Sequence, residues 1–293
     1  MSRLFSQITN ALTILFVSSC ISVQSFGLPK APLERPSSWD GIKHVVIIVF
    51  ENTSPIEAIK QPFLRSLIDQ GAHLSDYYAI THPSQPNYIA MVAGNTFDVK
   101  RDKNYDLFGF SIADLLENKG LTWKVYAEDY PGNCFLKDKQ GLYVRKHVPF
   151  LSFINIQTSP SRCANVVAAT QFAVDKTNNQ LPTYSMYIPN LENDGHNTGV
   201  EFADRWFQQA FGRYFSDADL LKDTLFIVTF DEDDWFHGNK IYTVFLGAGV
   251  QPGTTSSTRY NHYSMLRTIE EIFNLGTLHQ YDLFADIISD IWQ

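Results

Sequence analysis

His44–Phe50 (HVVIIVF) is followed directly by Glu51-Asn52. A run this apolar and β-branched reads as a strand covered on both faces, which points to a parallel sheet with helices on either side. Residues 225–230 (LFIVTF) repeat the pattern and stop at Asp231-Glu232, with Asp233 and Asp234 behind them. In an open parallel sheet, ligands bind beyond the carboxyl ends of the strands, so both acidic breaks fall on the edge where chemistry is expected. Polar residues at a strand end often mark only where the chain leaves the core. Four consecutive acids, however, repel one another and want a cation. Glu51, Asn52, Asp231 and Glu232 offer the hard, oxygen-rich donors that suit a divalent metal.

Residues 81–88 (THPSQPNY) place a hydroxyl nucleophile at the start of a helix. Ser84 reads as the N-cap, Pro86 falls in the first turn where a missing N–H costs nothing, and Gly94 closes the pattern. Unpaired amides and the positive end of the helix dipole would then surround the serine oxygen, a place for phosphate. The same oxygen would complete the metal site. A serine before a proline is more often only a cap, so the pattern gains its meaning from the two acidic strand ends. Thr53 is a rival nucleophile, but its position directly behind two ligands fits a supporting role.

The rest of the chain alternates. Helices are predicted over 111–119 (closed by Gly120), 201–215 and 262–273, and strands over 122–127, 184–188 and 241–246. Phe202, Trp206, Phe207, Ala210 and Phe211 form an apolar stripe that reads as core. Residues 129–180 are the least regular and read as an insertion near the active face. The expected fold is α/β, a three-layer sandwich with a largely parallel central sheet, in one domain over 41–293. With 293 residues, 44% hydrophobic and 18% charged, the chain can bury a large core. A net charge of −8 without a cluster of basic residues speaks against a nucleic-acid partner.

The start of the chain has the pattern of an export signal: Arg3, an apolar stretch over 11–17, then small residues at Ser18, Ser19 and Ser25. Residues 1–25 are therefore set apart as a signal peptide or lipoprotein signal, in which Cys20 would be the acylated anchor. Residues 26–40, rich in Pro and Ser, read as a linker. The expected location is secreted or periplasmic. Cys134 and Cys163 remain as a pair, and an exported protein usually joins such a pair.

Histidines supply the remaining chemistry. Asn193-Asp194-Gly195-His196 follows a strand, which puts His196 on the acidic edge as a proton donor to a leaving oxygen. His82, two residues before Ser84, and His262, in Asn261-His262-Tyr263-Ser264, are candidates for holding phosphate oxygens. Asp194 and Asn87 complete the expected substrate contacts. His44, His73, His147, His237 and His279 are given no role.

Glu51-Asn52, Ser84-x-Pro86-Asn87, Asn193-Asp194-Gly195-His196, Asp231–Asp234 and Asn261-His262-Tyr263-Ser264 occur in this order, together with Arg145-Lys146-His147-Val148-Pro149, Thr243-Val244-Phe245 and Ile291-Trp292. The chain resembles the bacterial and fungal acid phosphatase and phospholipase C family of the alkaline-phosphatase-like superfamily. The resemblance implies one divalent metal ion held by Glu51, Asn52, Ser84, Asp231 and Glu232, with Ser84 as the nucleophile of a phosphoserine mechanism. It implies an acid phosphatase acting on phosphate monoesters, with phosphorylated small molecules or phosphoinositide headgroups as substrates. The alternative is a phospholipase C, a diesterase. A sulfatase is set aside because Tyr88 stands where those enzymes need an arginine after the modified residue.

Overall fold

The computed structural model describes residues 35–293. The expected export signal, Cys20 and most of the expected linker lie outside them. Eight strands form one sheet: β1 His44–Phe50, β2 Ala72–Leu74, β3 Trp123–Ala127, β4 Val166–Ala168, β5 Tyr184–Ile188, β6 Thr224–Phe230, β7 Thr243–Gly247 and β8 Thr254–Ser256. Their spatial order is β8-β2-β7-β6-β1-β5-β3-β4. Only β7 runs against its neighbours, pairing antiparallel with β2 and β6. β1 pairs in parallel with β6 and β5, so the two strands that end in acids lie side by side at the centre.

Alternation along the strands separates two helical layers. Tyr184 and Trp123 meet Phe150 on one face, whereas Tyr187 and Tyr126 meet Phe211 and Phe172 on the other. Phe50 and Phe226 point to that second face, where they pack on Phe207 and Phe215 of the Val200–Phe215 helix. The buried stripe of this helix is Ala203, Phe207, Phe211 and Phe215, at helical spacing. Phe202, expected in the stripe, is one position off it and 36% exposed.

Two other expectations are corrected. The linker was to run to residue 40, yet residues Ser37–Gly41 form a 3-10 turn and Trp39 is buried edge-on against Trp292. An indole of this size gains more from burial than a tether would leave it. The irregular segment is also more than an insertion, since it supplies β4 and the Gln171–Thr177 helix to the sandwich. Cys134 and Cys163 are joined in a disulfide within it, Cα to Cα 5.6 Å.

Asp204 ties two helices together. Its buried carboxylate accepts from the Phe63 amide at 3.2 Å and the Leu64 amide at 2.7 Å, capping the Pro62–Gln70 helix from outside that helix. Asp204→Ala strands two buried donors, so it should lower the unfolding free energy by about 1–3 kcal/mol, read by urea denaturation, while the rate per folded molecule stays unchanged.

Candidate active site

The site is built where β1 and β6 stop. Phe50 and Asp231 are joined through the Asp231 amide and the Phe50 carbonyl, 2.9 Å apart, and this carries the ladder one step past the strands. Asn52 turns the chain in a left-handed conformation, φ 41°, which Asn tolerates better than most residues. Its amide donates to Asp231 Oδ1 at 3.2 Å. The Glu51 amide in turn donates to the Asp194 carbonyl at 3.0 Å, bringing the 193–196 turn alongside.

Ser84 sits between the two strand ends. Its Oγ lies 3.0 Å from Glu51 Oε2 and 3.1 Å from Glu232 Oε1, and it is 2% exposed. One hydroxyl proton serves only one of these carboxylates, so the other contact needs a second proton or a cation. Ser84 is the first residue of the Ser84–Ala93 helix and Pro83 is the N-cap, one position earlier than expected. The next amide, that of Gln85, is already taken by Asp102 Oδ1 at 3.0 Å. Part of the anion site expected at this helix end is therefore occupied by a carboxylate of the chain itself.

Glu51, Asp194, Asp231 and Glu232 are all buried. Burial raises every one of their pKa values, and the Glu51 charge raises those of the other three further: Asp194 is pushed up to about 9 and Glu232 to about 8. Asn52 Oδ1, Asp194 Oδ2, Asp231 Oδ2 and His147 Nε2 are buried without a hydrogen-bond partner. Orphaned oxygens and a neutral imidazole facing a carboxylate cluster are the donor set a divalent cation needs, and the residues fit such an ion. Glu51, His147 and Asp194 bring ligand atoms within 4.8 Å of one another, a potential metal-binding group that shares Glu51 with the set expected from sequence.

His147 had been given no role. It is wholly buried, with Nε2 3.2 Å from Glu51 Oε1 and Nδ1 3.5 Å from Asp194 Oδ2, and burial drives its pKa well below the usual value. Its ring stacks on Tyr88, whose hydroxyl donates to Glu51 Oε1 at 2.5 Å. Tyr88 was readable in principle, being one helical turn after Ser84 on the same face. Lys146 is the other residue missed: its Nζ pairs with Asp102 at 2.6 Å, and although burial alone would lower its pKa, the Glu51 charge and the Asp102 bond raise it.

The expected substrate contacts fare differently from one another. Asn87 has its whole amide engaged: Oδ1 accepts from the Ile80 and Thr81 amides, and Nδ2 donates to the Thr81 and Pro83 carbonyls. It clamps the loop that delivers Ser84 and has nothing left for a phosphate. His262 is buried, its Nε2 2.8 Å from the Asp231 carbonyl and its Nδ1 3.4 Å from the Tyr77 hydroxyl. Burial lowers its pKa to about 4, so it is a neutral brace behind Asp231 with both ring nitrogens engaged within the protein. His82 lies at the rim between Glu232, 2.6 Å from Nδ1, and Asp233, 3.1 Å from Nε2. His196 is exposed, its amide bonded to Asp194 Oδ1 and its Nδ1 2.9 Å from Asn197 Oδ1. Of the four acids, Asp231 and Glu232 face Ser84, while Asp233 accepts from the Trp235, His237 and Asn239 amides and Asp234 pairs with His237. Thr53 turns its hydroxyl to the Glu51 carbonyl, 3.2 Å away.

The sheet order, with a helix-borne hydroxyl between acidic strand ends, is that of the alkaline-phosphatase-like fold. The lipoteichoic acid synthase LtaP of Listeria monocytogenes superposes with a TM-score of 0.61 at 10% identity, over 85% of this chain and 78% of that one. A protein in the alkaline phosphatase superfamily from Vibrio parahaemolyticus superposes at 0.58 and 14%, over 84% and 71%. Residues 56–276 match the Phosphoesterase family, and the chain belongs to it. It is 35% identical to the phosphatidylinositol-3-phosphatase of Mycobacterium tuberculosis, over 100% of this chain and 97% of that protein. It is 35% identical to a probable acid phosphatase of Kluyveromyces lactis over 84% of its length, and 32% to an acid phosphatase of Aspergillus fumigatus over 92%. The chain spans 62% and 64% of those two proteins. It is a phosphoric ester hydrolase.

The raised carboxyl groups carry a pH consequence. A group whose pKa is higher folded than unfolded contributes stability below its unfolded pKa and loses it as pH rises through the folded value. Chelator-treated protein should therefore lose thermal stability as pH rises from about 4.5 to about 8, the window of Glu232. Excess divalent cation should cancel the loss at the upper end, which thermal melts with and without chelator will read.

Proposed function

We propose that the protein is a metal-dependent acid phosphatase that removes phosphate from monoesters, phosphoinositides among them, through a phosphoserine at Ser84. The observation that carries this reading is Ser84 Oγ held 3.0 Å and 3.1 Å from two buried carboxylates at a helix start. Glu51, Asn52, Ser84, Asp231 and Glu232 would hold one divalent ion, with His147 and Asp194 extending the donor set on the far side of Glu51. When bound, the ion would favour the serine alkoxide, neutralise the carboxylates and offset charge on the phosphoryl oxygens.

The chain's own groups do the rest. Ser84 Oγ gives its proton to a contacting carboxylate and attacks phosphorus, forming the serine phosphate bond as the bond to the leaving oxygen breaks. His196, at the open mouth, protonates that oxygen. Water then attacks the phosphoserine and releases phosphate, with the proton returning to Ser84. Lys146 is the cation that meets the extra negative charge of a monoester over a diester, which favours the monoester reaction. The Cys134–Cys163 disulfide supports an oxidising, extracytoplasmic location, with or without an anchor at Cys20.

Ser84→Ala should cost at least about a thousandfold in kcat with an unchanged melting temperature in chelator. A tenth of the parent rate would reject the nucleophile. Asp231→Ala should lose bound metal together with rate, and elemental analysis of the purified variant showing full occupancy would reject that ligand. Hydrolysis of an aryl phosphate should exceed cleavage of phosphatidylcholine to diacylglycerol by at least roughly tenfold in kcat/KM, and the reverse order marks a diesterase.

A further inference from the structure

β3 is a third strand that stops at acids on the carboxyl edge, since Trp123–Ala127 runs directly into Glu128-Asp129. The Glu128 amide donates to the Ile188 carbonyl at 2.9 Å, which carries the pairing of β3 with β5 one step past Ala127. Its side chain reaches the segment that leaves β5. Glu128 Oε2 accepts from the Asn190 amide at 3.0 Å and from Asn193 Nδ2 at 2.6 Å, while Oε1 accepts from the Tyr187 hydroxyl at 3.3 Å. Asp129 Oδ2 accepts from Asn190 Nδ2 at 2.7 Å, and Asn190 Oδ1 accepts from the Glu192 and Asn193 amides.

Residues 189–199 form neither helix nor strand, so no regular ladder sets where they lie, and side-chain acceptors must take that part. The Asn190 carbonyl accepts from the Asp194 amide at 2.8 Å, the Asp194 carbonyl from the Glu51 amide at 3.0 Å, and Asp194 Oδ1 from the His196 amide at 2.8 Å. The chain reverses at Gly195, φ 94°, and the Gly199 amide closes on the Gly195 carbonyl at 2.7 Å. In the sheet β5 lies between β1 and β3, so the turn is held from two sides, by Glu51 at the end of β1 and by Glu128 at the end of β3. His196 is exposed, with Nδ1 2.9 Å from Asn197 Oδ1 of the same turn, and its imidazole therefore stands where this backbone puts it. We propose that Glu128 is a positioning residue: through Asn190 and Asn193 its carboxylate fixes the turn that sets His196 against the leaving oxygen. A group that orients the acid in this way decides whether proton transfer is in reach, and a misplacement of about 1 Å is enough to lose it. The leaving-oxygen half of this statement rests on the function proposed above; the holding of the turn does not.

The test compares Glu128→Ala and Glu128→Gln in the whole protein, with His196→Ala and the double variant E128A/H196A as references. Glu128→Ala should lose at least roughly thirtyfold in kcat/KM on glycerol phosphate, whose alkoxide needs a proton to leave, and under about threefold on nitrophenyl phosphate, which does not. The second substrate also reports that the variant folds; if it does not, Glu128→Asp, one methylene short of the turn, takes its place. The Asn190 and Asn193 donors share one oxygen, which glutamine can supply, so Glu128→Gln should stay within about threefold of wild type on both substrates. E128A/H196A should be no slower than His196→Ala, because the two substitutions remove one and the same interaction. Hydrogen exchange read by mass spectrometry should quicken over residues 190–199 of Glu128→Ala and not in the rest of the sheet. Unchanged exchange over that segment overturns the proposal, and so does a Glu128→Gln as slow as Glu128→Ala. With His196→Ala discriminating between the substrates, an equal loss on both in Glu128→Ala, or an additive double variant, overturns it too. If His196→Ala itself costs the same on both substrates, His196 is not the acid and the mechanism above fails at that step; the exchange result then decides alone whether Glu128 holds the turn.

Discussion

Four carboxylates buried at the ends of adjacent strands repel one another in a medium that solvates them poorly, and the rest of the site is arranged around that cost. Glu51, Asp194, Asp231 and Glu232 are held there by backbone bonds as well as side chains: the ladder extension from Phe50 to Asp231, the Glu51 amide on the Asp194 carbonyl, and the Asn52 amide on Asp231 Oδ1. Without a cation the cluster must take up protons, as its raised pKa values state. Ser84 Oγ is poised between two of these groups. The repulsion that would loosen the empty cluster is thus the attraction that a divalent ion would gain from it.

A layer of neutral side chains keeps the array in place. His262 holds the carbonyl of Asp231 from behind, Tyr88 fixes one oxygen of Glu51, and Asn87 locks the loop before the nucleophile. None of them brings charge to the centre. They fix orientation in a region where an extra charged partner would have shifted the balance of protons, which is how supporting residues act around metal ligands.

What was legible in the sequence followed local rules. β1 and β6 announce themselves by unbroken apolar runs, and the acids at their ends are marked by contrast with those runs. The Ile112–Asn118 helix shows its Ser111–Asp114 capping box in the letters, and the structure has it. What was illegible depends on where backbone goes. Asn87 looks like a ligand residue until its four bonds to loop backbone are counted. His262 looks accessible at a helix start, but the Asp231 carbonyl and Tyr77 enclose it. His147 comes from the least regular segment, where no period says which way a side chain points. Asp102 fills a helix end from a loop that shows no pattern at all.

The reversed strand β7 has a consequence for how this fold can vary. A parallel return from β6 would require a crossover of a dozen residues or more, and the chain would leave the carboxyl edge to make it. Because β7 runs antiparallel, residues 231–242 turn back at that edge, and the register of Thr243 opposite Thr229 closes the connection. Within it, Asp233 and Asn239 seal the base of a small loop through their mutual bonds. Residues added or lost between those two positions would change the shape and chemistry of the rim while the sheet register and the two acids before it stay fixed. The sheet thus holds the centre independently of the tip, so a change in the tip's length or residues would alter the rim without moving the acids that face Ser84.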